Sequence, residues 1–249
     1  MKIIDVEQGS PEWQAARRGI PTASEFEKIL TPTGKPSGQA AKYAYKLAVE
    51  TLLGEVYDEQ GRVVGDISNL PAIVRGKMLE PQAAADYEFE LGVSTRKIGF
   101  ITTDDGRAGA SPDRLINTGS DLRGAVEFKC PYPHTHMAYL QEGFDSDYVV
   151  QAQGQILICE LDFVDRVSYL PGAPTVRVRT WRDDAFCKAL GDALVRFSDT
   201  LENVLRKARE AGPWTPVPYV APEDFVRSNG FRGRERHDPN NAFNWEFTP

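Results

Sequence analysis

Apolar positions along the chain follow two periods, and the switches between them mark out the elements. Ser10-Pro11-Glu12-Trp13 puts a capping hydroxyl before a proline suited to the first helical position, which predicts a short helix stopping near Gly19. Thr22-Ala23-Ser24 opens a second short helix over 25–30, closed by Thr31-Pro32-Thr33-Gly34. Over 37–53, Tyr43, Leu47 and Leu52-Leu53 recur at helical spacing, with Gly54 placed to end the helix. The stretch 69–91 is helical in pattern from Pro71 to Gly92, with a break or kink expected at Pro81, just after Glu80.

The period then shortens to two. Residues 94–103, 108–116 and 124–130 are rich in β-formers and separated by Asp, Gly, Asn and Ser, which predicts three strands. Helical spacing returns over 147–161. Two more strands follow at 164–170 and 175–181, then a long helix over 183–211 that closes at Gly212-Pro213. Helices, a run of strands, then helix, strands and helix give an α+β (α/β layered) fold with a central mixed sheet flanked by helices. Residues 1–212 form one domain in this reading, and 213–249, without a clear period, an extended arm over the body; a partner-binding tail is the alternative.

The composition of 249 residues is ordinary for a globular chain, with 29 basic and 36 acidic residues and a net charge of −7. That balance excludes attachment to nucleic acid through bulk charge, though not through a local basic groove. Such a groove has a candidate: between Glu12 and Lys46 six basic residues face three acidic ones. Three separated cysteines supply neither a disulfide framework nor a paired metal site. No apolar run is long enough to span a membrane and the first residues lack a signal peptide's apolar core, so a cytoplasmic location is expected. The glycines around Gly61 and Gly65 form no phosphate-binding loop, so no ATP-driven motor is expected. His134 and His136 lack further ligands for zinc and read as a loop or helix start.

The candidate chemistry lies in Gly109-Ala110-Ser111-Pro112-Asp113 and Val126-Glu127-Phe128-Lys129-Cys130-Pro131. Alternation puts Glu127 and Lys129 on one strand face and Cys130 on the other, toward the core. On alternation alone, a solvated ion pair on a half-exposed sheet is the default. Asp113, at the end of an adjacent strand, changes this: Asp113 and Glu127 can converge on a divalent cation, with Lys129 beside an attacking water. Phosphodiester hydrolysis needs those parts, since hard oxygen ligands suit Mg²⁺ and a lysine can orient water and offset charge in the transition state. Glu80 is a further candidate carboxylate. Gln151 and Gln155 share a helical face with Tyr148, by default a plain polar face.

The Ser-Pro-Asp…Glu-Phe-Lys pattern resembles the PD-(D/E)xK nuclease signature. Trp13…Arg17-Arg18-Gly19-Ile20-Pro21-Thr22-Ala23-Ser24, Arg75-Gly76-Lys77…Glu80 and Tyr148-Val149-Val150-Gln151-Ala152-Gln153 stand around it in the order found in phage lambda-type exonucleases. The resemblance covers residues 7–170. It implies a restriction-endonuclease-like core and Mg²⁺-dependent 5′-to-3′ digestion of linear double-stranded DNA, with Mn²⁺ as the substitute ion. It further implies a ring-shaped homotrimer working beside a single-strand annealing protein.

Carried over by residue, the resemblance makes Asp113 and Glu127 metal ligands with the Phe128 carbonyl, Lys129 the catalytic lysine and Glu80 a further acid. Arg17, Ser24, Ser111 and Gln151 become contacts to a DNA 5′-phosphate, and a shift of one residue would exchange Arg17 for Arg18. The rival readings are an endonuclease or RecB-like repair nuclease on the same core, and a catalytically inactive DNA-end-binding module. The intact Asp113, Glu127 and Lys129 set argues against the last.

Overall fold

The computed structural model describes residues 1–55, 63, 69–144 and 148–216. In chain order it contains β1 (Lys2–Ile4), α1 (Pro11–Arg17), a 3-10 helix (Ala23–Lys28), α2 (Ala40–Leu53) and α3 (Pro71–Leu91). Next come β2 (Ser94–Lys97), β3 (Phe100–Thr102), β4 (Gly109–Ala110), β5 (Arg114–Asn117) and β6 (Gly124–Lys129). The remainder is α4 (Pro133–Glu142), α5 (Val149–Cys159), β7 (Phe163–Ser168), β8 (Val176–Trp181) and α6 (Asp184–Ala211). The expected α+β class is what forms. Of the tail expected over 213–249, everything from 217 on lies outside the described residues, as does the start of the helix expected from 147.

Local signals act where the sequence places them. Ser10 Oγ accepts from the Trp13 N–H ahead of Pro11, and Asp183 caps α6 by accepting from the Phe186 N–H. Two expectations need correction in the helices. The segment after Thr22 folds as a 3-10 helix, Ala23–Lys28, which starts and ends two residues before the short helix expected over 25–30. Pro81 does not break α3, which runs through it from Pro71 to Leu91. A proline's local penalty of about 3 kcal/mol is a prior that tertiary packing overrides. Here Ala83, Ala84 and Tyr87, in the turns after Pro81, are buried against the sheet.

Two expected strands are each cut in two, because their halves join different sheets. The strands order as β1-β3-β4 in a small antiparallel sheet and β2-β5-β6-β7-β8 in a larger mixed one. The expected strand 94–103 therefore parts at Ile98-Gly99, and 108–116 parts at Ser111-Pro112-Asp113. Gln8 fastens both crossings, its Nε2 donating to the carbonyls of Ile98 at 2.7 Å and Pro112 at 2.9 Å. At Gly99 the β1 backbone passes so close that a Cβ would stand 2.4 Å from the Ile4 carbonyl oxygen. A crossover set by such long-range contacts has no local signature.

In the large sheet β6 pairs antiparallel with β5 and parallel with β7, so it lies at the centre. Val126 and Phe128 face α3 in an apolar cluster with Ala83, Tyr87 and Val167. Ala125 faces the other way, into the core that α2, α5, α6 and the 3-10 helix share. Glu127 and Lys129 follow Ala125 onto that second face, and Cys130 packs, half-buried, at the edge of the first.

The α5 helix approaches the 3-10 helix at Gly154, where a Cβ would stand 2.6 Å from Phe26 Cδ2. Phe26 is fully buried and cannot yield. Alanine in a helix gains about 1 kcal/mol over glycine, whereas overpacking costs about 1–3 kcal/mol. Gly154→Ala is therefore expected to destabilise by about 1 kcal/mol net, read from the midpoint of urea unfolding at constant slope. A stabilised variant would show that the contact relaxes freely.

Candidate active site

The crossing between β4 and β5 delivers Ser111 and Asp113 beside the C-terminal end of β6. Asp113 Oδ2 accepts the Phe128 N–H at 2.6 Å, which locks the aspartate onto the central strand. Glu127 is 6% exposed. Its Oε1 accepts from Lys129 Nζ at 2.9 Å and Gln151 Nε2 at 2.8 Å, and its Oε2 from Gln155 Nε2 at 2.7 Å. A solvated surface pair would not look like this. The Lys129 ammonium also donates to Gln151 Oε1 at 3.3 Å and lies 4.5 Å from the Tyr148 ring centroid. Tyr148 itself adopts the left-handed conformation at φ 61°, costly for a non-glycine residue.

Charge is concentrated here. Burial first, then the neighbouring Glu127 charge, push the Asp113 carboxyl well above its ordinary range, with Glu80 adding to the rise and Lys129 opposing it. Burial works against the Lys129 charge, but Glu127 and Asp113 outweigh it and hold the ammonium above its ordinary pKa. Lys129 is therefore a cation and a hydrogen-bond donor in this site, not a free base. Glu80 stands on an unbroken α3 turn, 3.5 Å from Lys97 Nζ, so its position comes from the helix and not from a break at Pro81.

Among the described residues, no three His, Cys, Asp or Glu side chains converge into a ready metal cage. Mg²⁺ seldom uses one; it keeps waters and is held by one or two carboxylates together with substrate phosphate. Asp113 and Glu127 are such a pair, and the strain of their like charges is what a cation would relieve. The donor set fits Mg²⁺.

A second group of side chains lies next to the first. Arg17 Nη1 donates to Ser111 Oγ at 3.3 Å and Nη2 to Thr22 Oγ1 at 3.4 Å, and Thr22 Oγ1 is 3.3 Å from Ser24 Oγ. Trp13 Nε1 also donates to Ser111 Oγ at 3.1 Å, and its ring lies 4.0 Å beneath the Arg17 guanidinium. Burial presses the Arg17 pKa below its ordinary value, yet no carboxylate lies within ion-pair distance of it among the described residues. Arg18 instead pairs with Glu55 at 3.0 Å. Of the other basic residues in this region, Lys28 pairs with Glu25, and Lys46 lies 3.8 Å from Glu50.

The expected phosphate contacts thus divide. Arg17, Ser24 and Ser111 come together with Thr22 and Trp13, while Gln151 turns to Glu127 and Lys129. Gln155 is the site residue the sequence reading passed over. Its one signal was the four-residue spacing from Gln151, which equally describes any polar helix face.

The model of the YqaJ-like viral recombinase domain matches residues 12–162, more than half of the chain and all of the side chains above except those beyond its ends. The chain belongs to the YqaJ-like viral recombinase family. This YqaJ-like chain is similar to LHK-Exo in its crystal structure with dAMP, at 30% identity and a TM-score of 0.66 over 82% of this chain and 100% of that one. The crystal structure of the alkaline exonuclease LHK-Exo from Laribacter hongkongensis matches over the same shares at 28% identity and a TM-score of 0.62. A phage-related exonuclease from Haemophilus somnus 129PT shares the fold at 14% identity, with a TM-score of 0.59 over 76% of this chain and 96% of that one. A comparison with curated proteins finds no match. No helix among the described residues is long and apolar enough to cross a membrane.

Proposed function

We propose that this YqaJ-like chain is a Mg²⁺-dependent exonuclease that digests linear double-stranded DNA from 5′ to 3′, leaving 3′ single strands for annealing recombination. The observation that carries the reading is the adjacency of two sites. A carboxylate pair with a held lysine stands beside a half-buried arginine with hydroxyl partners and, among the described residues, no carboxylate within ion-pair distance, and Ser111-Pro112-Asp113 links them. A guanidinium with hydroxyl partners and no anion of its own is a place for phosphate. Family membership and the likeness to LHK-Exo support nuclease chemistry, and the dAMP bound by LHK-Exo is the class of product that such digestion releases.

In this reading Mg²⁺, held by Asp113, Glu127 and the Phe128 carbonyl, supplies Lewis acidity at the scissile phosphate, and Mn²⁺ can replace it. Arg17, Ser24 and Ser111 hold the terminal 5′-phosphate and so set which linkage reaches the carboxylates. Gln151 takes part through Glu127 and Lys129. The Lys129 ammonium orients the attacking water and offsets charge gathering on the phosphate. Water adds to phosphorus and the P–O3′ bond breaks. The released nucleotide keeps its 5′-phosphate and gains a 3′-hydroxyl, and the shortened strand again ends in a 5′-phosphate for the Arg17 pocket.

The same reading takes residues 1–212 as the nuclease domain. It takes the protein as a cytoplasmic homotrimer acting with a single-strand annealing partner. The test of the activity compares linear duplexes bearing 5′-phosphate or 5′-hydroxyl ends with circular duplex, with and without Mg²⁺, following which strand disappears. Cleavage of circular duplex would reject the exonuclease reading in favour of an endonuclease.

The pocket has its own test. Arg17→Ala removes a charge-assisted contact worth about 1.5–3 kcal/mol, or roughly tenfold to a hundredfold in end discrimination. The wild type is expected to prefer 5′-phosphorylated ends and the variant to lose that preference while still folding. If Arg18→Ala alone has this effect, the phosphate site lies on the Glu55 side of α1 and the assignment to Arg17 fails.

A further inference from the structure

Gln155 is 1% exposed, and its Nε2 donates to Glu127 Oε2 at 2.7 Å. Its Oε1 is equally buried and has no hydrogen-bond partner among the described residues. Turning the amide over would not mend this, because its oxygen would then face a carboxylate oxygen, one acceptor against another. The orientation of the amide is dictated by Glu127 alone. A glutamine kept for stability would have both ends paired, since a buried acceptor left unmet is a cost. Methionine would fill the same space without that orphan.

The geometry around Glu127 shows what the amide achieves. Oε1 is held by Lys129 and Gln151, while Gln155 is the one donor to Oε2 among the described residues. The terminal torsion of a glutamate is broad, so a carboxylate fixed at one oxygen still pivots. The second donor stops the pivot. Gln151 and Gln155, four residues apart on α5, thus grip both oxygens of one carboxylate from one helix face.

We infer that Gln155 is a positioning residue that fixes the plane of the Glu127 carboxylate for divalent-cation binding; this rests on the nuclease reading above. Outer partners of metal ligands typically carry about 10–100-fold in metal affinity. The measurement is binding of Mn²⁺ to the DNA-free protein by the loss of its free-ion EPR signal, for wild type, Glu127→Gln, Gln155→Met and the double variant. Gln155→Met is expected to weaken Mn²⁺ binding by about tenfold or more with a cooperative melt retained. Because it acts through Glu127, it should add no further loss in the Glu127→Gln background.

Wild-type affinity in Gln155→Met, or losses that add in the double variant, would overturn the inference and leave the metal-site reading standing. A Glu127→Gln protein that binds Mn²⁺ like wild type would overturn that reading and this inference with it. Should Gln155→Met not fold, Gln155→Asn, which withdraws the amide by one methylene, carries the same expectations.

Discussion

Lys129→Ala is expected to lower single-turnover cleavage by about 10²-fold or more, some 2.7 kcal/mol of transition-state stabilisation, with DNA-end affinity kept. The size follows from where the ammonium sits. It is held by Glu127 and Gln151 and lies over the Tyr148 ring, so its direction is fixed before substrate arrives. A fixed donor aimed at developing charge contributes more in the transition state than in the ground state. Removing a cation next to a cation site should not weaken metal binding, so the loss should fall on turnover. Gln151 remains on Glu127 Oε1 after the change, which keeps that oxygen satisfied. Were Lys129 only a structural counter-ion, the variant would lose stability and keep its cleavage rate per folded molecule. Single-turnover cleavage beside an end-binding titration separates the two, and near-normal cleavage would defeat the catalytic role.

What was legible in the sequence is what short-range chemistry writes there. Period-two alternation put Glu127 and Lys129 on one face, and capping chemistry put Ser10 at a helix start. The Asp113 side chain was recognisable because Ser-Pro-Asp ends one strand close to the next. The unread parts depend on contacts between distant segments. Nothing near Pro81 says that the turns after it will be anchored by Ala83, Ala84 and Tyr87 on the sheet, so a local rule favoured a break. Nothing in 94–103 or 108–116 says that Gln8, about ninety to a hundred residues upstream, will hold both crossings between sheets. Arg17 and Arg18 are equal in composition and adjacent in position. Only the fold turns one to Ser111 and the other to Glu55. Gln155 was hidden for the same reason, since its meaning lies in a carboxylate 28 residues earlier on β6.

Asp113→Asn should divide function from stability most sharply. Cleavage in Mg²⁺ is expected to fall by about 10³-fold or more, because the several kcal/mol that a bound metal supplies depend on this ligand. The rise in Tm that Mg²⁺ gives the wild type should vanish, since binding stabilises only a protein that holds the ion. The metal-free variant, however, should melt no lower than the metal-free wild type. Asparagine keeps an oxygen acceptor for the Phe128 N–H and removes a charge that burial, Glu127 and Glu80 all oppose. The sign follows from the upward displacement of the Asp113 carboxyl: folding disfavours its charged form, so that charge subtracts from stability at neutral pH. Lys129 attracts the same carboxylate, but this pull is the smaller effect, or the displacement would be downward. Melting both proteins in chelator and again in Mg²⁺ decides the matter. A lower Tm for the variant in chelator would mean that the Asp113 charge stabilises the empty fold, and the picture of a carboxylate site strained until a cation arrives would fail.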